Sequence, residues 1–233
     1  MRIFNARLFV NGAFGPGGID FDENIRALGA DVCDSDRAAR GLYLIPGLVD
    51  IHSHAAMGMD ASDGEAVGLP IMARHYARDG VTSWCPTTMT LPEKTLKKAV
   101  SLVRDYRRAP DGAKAVGVHL EGPFLSYAKR GAQAAESLRA PSVQMFRRLQ
   151  EAAGGLVKLI TVAPEEPGAM DFIRAVSPGC AVSLGHTTAD YDTAMAAFAA
   201  GASHVTHLYN AMQPLHHREP GLIAAAFDAG ATV

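Results

Sequence analysis

"LVDIHSH", residues 48–54, runs from apolar and acidic residues into two histidines separated by one serine. On an extended strand alternate side chains share a face, so His52 and His54 project together. Two readings compete: ligands for one metal, or polar residues at the end of a core strand. A lone histidine near a strand end is more often structural. A co-facial pair differs, because two imidazoles repel on protonation and are costly to bury without a shared partner.

Outward from this stretch, from about Tyr43 onward, short apolar or β-branched runs alternate with helical ones. The strand candidates are "YLIPGLVDIHSH" (43–54), "TSWCPTT" (82–88), "AVGVHLEGPF" (115–124), "LVKLITVAPE" (156–165), "CAVSLGH" (180–186) and "SHVTHLYN" (203–210). Helices are predicted over 68–80, 92–109, 142–154, 168–179 and 190–202, with Gly80, Gly154 and Gly201 where helices should stop. Strand and helix in alternation imply a parallel sheet of right-handed βαβ units. Residues 1–43 differ: "RIFNARLFVNG" alternates like a half-buried strand and ends at Asn11-Gly12, and "IDFDENIRALG" reads as two strands turning at Asp22 to Asn24. This is the expected part of a small β-sandwich domain, with residues 44–233 as the (β/α) domain.

Ligand-type residues stand at the C-terminal ends of these runs: His52 and His54 on the first, Glu121 on the third, His186 on the fifth, His207 and Asn210 on the sixth. In a TIM-barrel-type (β/α)8 fold those ends converge on one face. A doubly wound sheet gives no reason for ligands on so many strands, and its glycine-rich dinucleotide fingerprint is missing. Imidazole and carboxylate together suit zinc, iron and related divalent ions. Of the other histidines, His75 reads as surface, His119 as packing or support for Glu121, His204 as preceding a strand, and His217, beside His216, as lining a pocket. The pairs Asp60/Asp63 and Glu165/Glu166 read as loop solvation.

Composition bounds the rest. The 233 residues are 48% hydrophobic and 20% charged with a net charge of −2, which argues against nucleic-acid or anionic-membrane binding. The three cysteines, Cys33, Cys85 and Cys180, are dispersed and odd in number, which fits a reducing compartment and structural roles. With neither a leader-like start nor a membrane-length apolar run, a cytoplasmic location is expected.

"PGLVDIHSH" resembles the first-strand signature of the amidohydrolase superfamily. With "GVTSWCPTTMT", "GVHLEGPFLS", "KRGAQ", "SLGHTTADYDTA" and "GASHVTHLYNAMQPLHHREPG", residues from about 40 to 233 resemble the N-acetylglucosamine-6-phosphate deacetylases within it. "HLEGPF" and "THLYNAM" in this order separate that branch from dihydroorotases and hydantoinases. The resemblance implies Glu121, His186 and His207 as main metal ligands, and His52 and His54 as the pair that can hold a second ion. It implies one or two divalent ions, zinc or iron. Asn210 and Ala211 correspond to sugar-contacting positions, Arg218 to a phosphate-binding arginine, and Ala132 and Gln133 to another substrate-contact pair; some relatives carry histidine in place of the glutamine. The alternative for Arg218 is a surface arginine paired with Glu219. The implied activity is hydrolysis of an amino-sugar phosphate acetamide by a homo-oligomer. The galactosamine isomer, another N-acyl substrate, and an inactive metal- or sugar-phosphate-binding remnant stand as alternatives. The chain ends at "FDAGATV" before a seventh and eighth strand, so six of eight strands are expected within it. The general-base aspartate is expected beyond Val233, with no catalytic acid–base residue in the chain itself.

Overall fold

The computed structural model of the protein describes residues 1–29 and 37–233, so Cys33 lies outside the described residues. The chain divides into two compact units, Met1–Leu48 and Val49–Val233. In the first, β1 (Arg2–Val10) pairs antiparallel with β2 (Ala13–Phe21), and β2 with β3 (Ile25–Gly29). The hairpin between β1 and β2 turns at Asn11 and Gly12, both left-handed with φ of 51° and 81°, as a two-residue turn matching strand twist requires. On the other edge β4 (Arg37–Ala38) and β5 (Tyr43–Leu44) run parallel to β1. Tyr43 and Leu44 therefore belong to this sheet and do not extend the strand that carries His52. Pro46, which has no N–H to donate, and Gly47 break the run between them. The units accordingly divide after Leu48, later than the change of texture at residue 43.

The second unit opens at Val49, within β6 (Leu48–Ser53), and continues with a small hairpin, β7 (Ala55–Ala56) and β8 (Met59–Asp60), then α1 (Gly68–Arg78). It continues through β9 (Val81–Thr88), α2 (Glu93–Asp105), β10 (Lys114–Ala115), β11 (Val118–Glu121), α3 (Val143–Ala152), β12 (Val157–Val162), α4 (Ala169–Val176), β13 (Ala181–Leu184), α5 (Tyr191–Ala199), β14 (His204–Val205) and α6 (Gly221–Asp228). In the curled sheet β6 lies beside β9, followed by β11, β12, β13 and β14, with β10 on β9. Each main strand neighbours the next in the chain, the order of a barrel and not the reversal of a doubly wound sheet. After α6, Thr232 bridges His204 in parallel, and Val205 N–H donates to Thr232 O at 2.9 Å. The ladder thus continues one position past β14. The fold is a partial (β/α)8 barrel.

Helix faces explain the packing. α2 buries Leu96, Ala99, Val100 and Val103, and α3 buries Met145, Phe146 and Leu149, each a stripe of residues three and four apart turned into the hydrophobic core. Phe172 of α4 meets Phe124 at 5.0 Å and Phe146 at 6.0 Å between ring centroids, joining α3, α4 and the segment after β11. Burying such a side chain is worth about 1.5–3 kcal/mol. α6 was not expected from the sequence. "GLIAAAFD" is apolar on most sides, with Leu222, Ile223, Ala225 and Ala226 all buried, so no helical stripe marks it. Among the described residues no helix is long and apolar enough to cross a membrane.

Candidate metal centre

Glu121 is the last residue of β11 and 2% exposed. His52 and His54 approach its carboxylate from the end of β6, His186 from the loop after β13, and His207 from the loop after β14. The Nε2 atoms of His52, His186 and His207 lie 3.2, 3.3 and 3.2 Å from Glu121 Oε1, and His54 Nε2 lies 2.9 Å from Oε2. His186 and His207 Nε2 are 3.1 Å apart, and His52 and His54 Nε2 are 3.2 Å apart. Two groups able to hold an ion share the carboxylate: Glu121 with His186 and His207, and Glu121 with His52 and His54.

The outward ring nitrogens test whether these residues fit a metal. Nδ1 of His54 faces Thr87 O at 3.1 Å, that of His186 faces Lys129 O at 2.9 Å, and that of His207 faces Asn210 O at 3.1 Å. A carbonyl oxygen only accepts, so each Nδ1 carries a hydrogen and the neutral ring leaves its Nε2 lone pair pointing inward. Converging lone pairs around a carboxylate repel unless a cation, or protons, stand among them. A carbonyl behind an imidazole, here behind three of the four, is also the usual outer support of a metal-bound histidine. The donor set fits.

Electrostatics agree. Burial raises the Glu121 carboxyl, but hydrogen bonds from His186, His207, His52 and His54 outweigh it and hold the group well below the ordinary carboxylate range. Burial alone would lower His54 and His207; hydrogen bonding and the charge of Glu121 outweigh it and raise both. Protons here compensate the carboxylate that a cation could compensate.

Local backbone explains the aim of the loop histidines. His186 has φ of 49° and His207 of 35°, left-handed values that cost a non-glycine residue roughly 1–3 kcal/mol unless the surroundings hold them. Ser126 N–H donates to His186 O at 2.9 Å, Thr187 N–H to Ala211 O at 3.1 Å, and Asn210 N–H to His207 O at 2.9 Å.

The remaining sequence-predicted positions divide. Asn210 and Ala211 form the turn after His207, where the Asn210 carbonyl holds the His207 ring and the Asn210 side chain is exposed. Ala132 is exposed, whereas Gln133 is buried against Glu121 with both ends of its amide engaged. Arg218 is exposed and lines an open cleft of about 820 Å³ with Thr188, Tyr191, Gln213 and Pro220; among the described residues it makes no ion pair, with Glu219 or otherwise. His216, not His217, lines that cleft.

Of three supports, one was misread from the sequence, one anticipated and one missed. Glu165 is not loop solvation: its carboxylate accepts from the Thr187 hydroxyl, from Thr188 N–H at 2.6 Å and from the Thr188 hydroxyl at 2.9 Å, clasping the loop that carries His186. His119, on the same face as Glu121, donates Nδ1–H to Ile51 O at 3.1 Å and places Nε2 2.7 Å from the Thr161 hydroxyl, with burial, then neighbouring His52, pushing it down to about 3. Thr161 meets Thr206 at 2.8 Å and Thr206 meets Ser183 at 2.6 Å, a buried hydroxyl row linking β12, β13 and the residue before His207. Sequence spacing finds His119 but has no signal for partners 42 to 45 residues away.

Comparison with known proteins gives a consistent answer. Residues 43–229 match the Amidohydrolase family. The chain is 43% identical over 188 residues to N-acetylglucosamine-6-phosphate deacetylase of Bacillus subtilis (strain 168), covering 78% of this chain and 48% of that protein. Its fold is similar to the crystal structure of N-acetyl-D-glucosamine-6-phosphate deacetylase from Mycobacterium smegmatis, with a TM-score of 0.91 and 31% identity over 98% of this chain and 61% of that one. A mutant of the M. smegmatis enzyme, in complex with N-acetyl-D-glucosamine-6-phosphate, matches with a TM-score of 0.87 at 31% identity, covering 98% of this chain and 60% of that one. The chain spans about half the length of the curated relatives it matches.

Proposed function

Because this chain belongs to the amidohydrolase family, we propose that it holds a divalent metal and serves hydrolysis of the acetamide of N-acetylglucosamine 6-phosphate to glucosamine 6-phosphate and acetate. The observation that carries the reading is the convergence of four imidazole Nε2 atoms on the buried carboxylate of Glu121. Zinc or iron suits that donor set. Glu121, His186 and His207 are the main ligands in this reading, and His52 and His54 share Glu121 for a second ion. A bound ion supplies Lewis acidity toward an amide carbonyl and an activated water near neutral pH.

The chain's own groups do the rest. The carbonyls of Thr87, Lys129 and Asn210 keep hydrogens on the outer imidazole nitrogens, so the inner ones stay acceptors. Ala132, Asn210 and Ala211 are the sugar-side positions, and the exposed Arg218 guanidinium, which makes no ion pair among the described residues although Asp190, Asp192 and Glu219 also line its cleft, takes the phosphate as a bidentate donor. No acid–base role is assigned to a residue of this chain. Relatives named as N-acetylglucosamine-6-phosphate deacetylases support this choice of substrate.

Two measurements test the reading. Acetate release from N-acetylglucosamine 6-phosphate should exceed that from the galactosamine isomer; the reverse order moves the assignment to that isomer. Arg218→Ala should weaken binding of the phosphorylated sugar by roughly 10- to 100-fold, the worth of a hydrogen bond to a charged group, and leave the unphosphorylated sugar unaffected. Equal losses for both ligands count against a phosphate role.

A further inference from the structure

We infer that Gln133 is a positioning residue: its carboxamide holds Oε2 of Glu121 and so presents Oε1 to His186 and His207. The inference rests on the metal reading above. Gln133 is 5% exposed. Its side-chain oxygen accepts the Thr90 N–H at 2.6 Å, and its nitrogen lies 2.6 Å from Glu121 Oε2. A peptide N–H can only donate, so the amide oxygen must face Thr90 and the NH₂ must face the carboxylate. The orientation follows from chemistry.

The two oxygens of Glu121 therefore keep different company. Oε1 meets three imidazole nitrogens, from His52, His186 and His207. Oε2 meets His54 at 2.9 Å and the amide of Gln133. A short charge-assisted hydrogen bond draws on the lone pairs of Oε2 and leaves Oε1 the stronger ligand. Gln133 thereby favours an ion on the Oε1 side, with His186 and His207, over one that draws on Oε2 beside His54.

The brace is closed on both sides. The Thr90 hydroxyl donates to Glu121 O at 3.3 Å, so Thr90 grips the end of β11 and the amide that steers its side chain. Gln133 N–H donates to Arg130 O at 3.0 Å, in the turn whose Lys129 carbonyl orients the His186 ring. One short loop, 129–133, sets two ligands at once, and its sequence position gives no hint of this.

The test is zinc titration of the metal-stripped full-length protein by calorimetry, with melting temperature as the check on folding. Gln133→Met keeps size and removes the donor; the tighter zinc affinity should fall about 10- to 100-fold, the range for losing an outer-shell partner. Gln133→Glu keeps an acceptor for Thr90 but replaces the donor with an anionic oxygen. Its second zinc should bind at least about tenfold more tightly, because Oε2 is released and a carboxylate added. Opposite shifts from two near-isosteres are not what loosened packing produces. A folded variant with both affinities within about twofold of wild type overturns the inference, and if one variant does not fold, the other decides. Wild-type protein that binds no zinc overturns the metal reading instead.

Discussion

His52 and His54 reach Glu121 from a strand whose Leu48, Val49 and Ile51 are 49%, 62% and 40% exposed, whereas His186 reaches it from a buried loop braced on several sides. The side chains are of one chemical type and share one carboxylate, yet their supports differ. His186 has its ring tied to Lys129, its carbonyl to Ser126 and its following threonines to Glu165. After His54 the chain enters only the two-residue strands β7 and β8, while after the His186 loop it enters a capped helix. A metal site is as rigid as what stands behind its ligands. The difference implies an unequal pair of sites.

The largest test breaks the stronger side. His186→Ala should empty the ion bound at Glu121, His186 and His207, a loss beyond the roughly 100-fold that outer partners command. His52→Ala with His54→Ala should remove only a second ion. Elemental analysis of the purified variants reads both, and unchanged metal in His186→Ala would sink the assignment.

A middle-sized effect belongs to the clasp behind His186. Glu165→Ala removes the acceptor of three hydrogen bonds and leaves the donors of Thr187 and Thr188 short of partners. Stability should fall by about 1–3 kcal/mol, and zinc binding at the His186 side should weaken more than at the His52 side. A denaturation midpoint together with stepwise zinc affinities would reveal it; equal weakening at both sides would show that the clasp serves the fold alone.

The smallest effect lies at the start of α5. Asp190 caps this helix through Thr193 N–H at 2.8 Å. Asp190→Ala should cost about 1 kcal/mol. The hydrogen bonds from Thr193 lower the Asp190 carboxyl below its ordinary value. A lowered folded-state value means the cap's contribution is full above the unfolded-state pKa and fades as pH falls through the folded-state one. The stability gap between wild type and variant should therefore close in acid. A gap independent of pH down to the acid transition would argue against the carboxylate as the cap.

Period-two alternation alone put His52 and His54 on one face, and glycine and cap positions marked most helix ends: Gly80, Gly154 and Gly201 follow α1, α3 and α5 in the left-handed conformation. The order of strand and helix implied a parallel sheet, and ligand-type residues at the ends of several strands favoured the barrel. These features are local, set by steric preference and by which face a short element must bury. α6 and the assignment of Tyr43 to the first sheet were not legible. The first lacks a polar face, and the second depends on pairing with Arg7, far back in the chain.

What the sequence determined by itself is the set of candidate ligand types and the shared face from which the end of β6 offers His52 and His54. Only the tertiary structure decided how those ligands are held. The oxygen of Gln133 finds Thr90 43 residues away, Glu165 finds Thr187 22 residues away, and the His119 ring bridges Ile51 and Thr161. Hydrogen-bond partners are chosen by proximity in three dimensions, and an amide or carboxylate carries no mark in sequence of which distant donor will reach it.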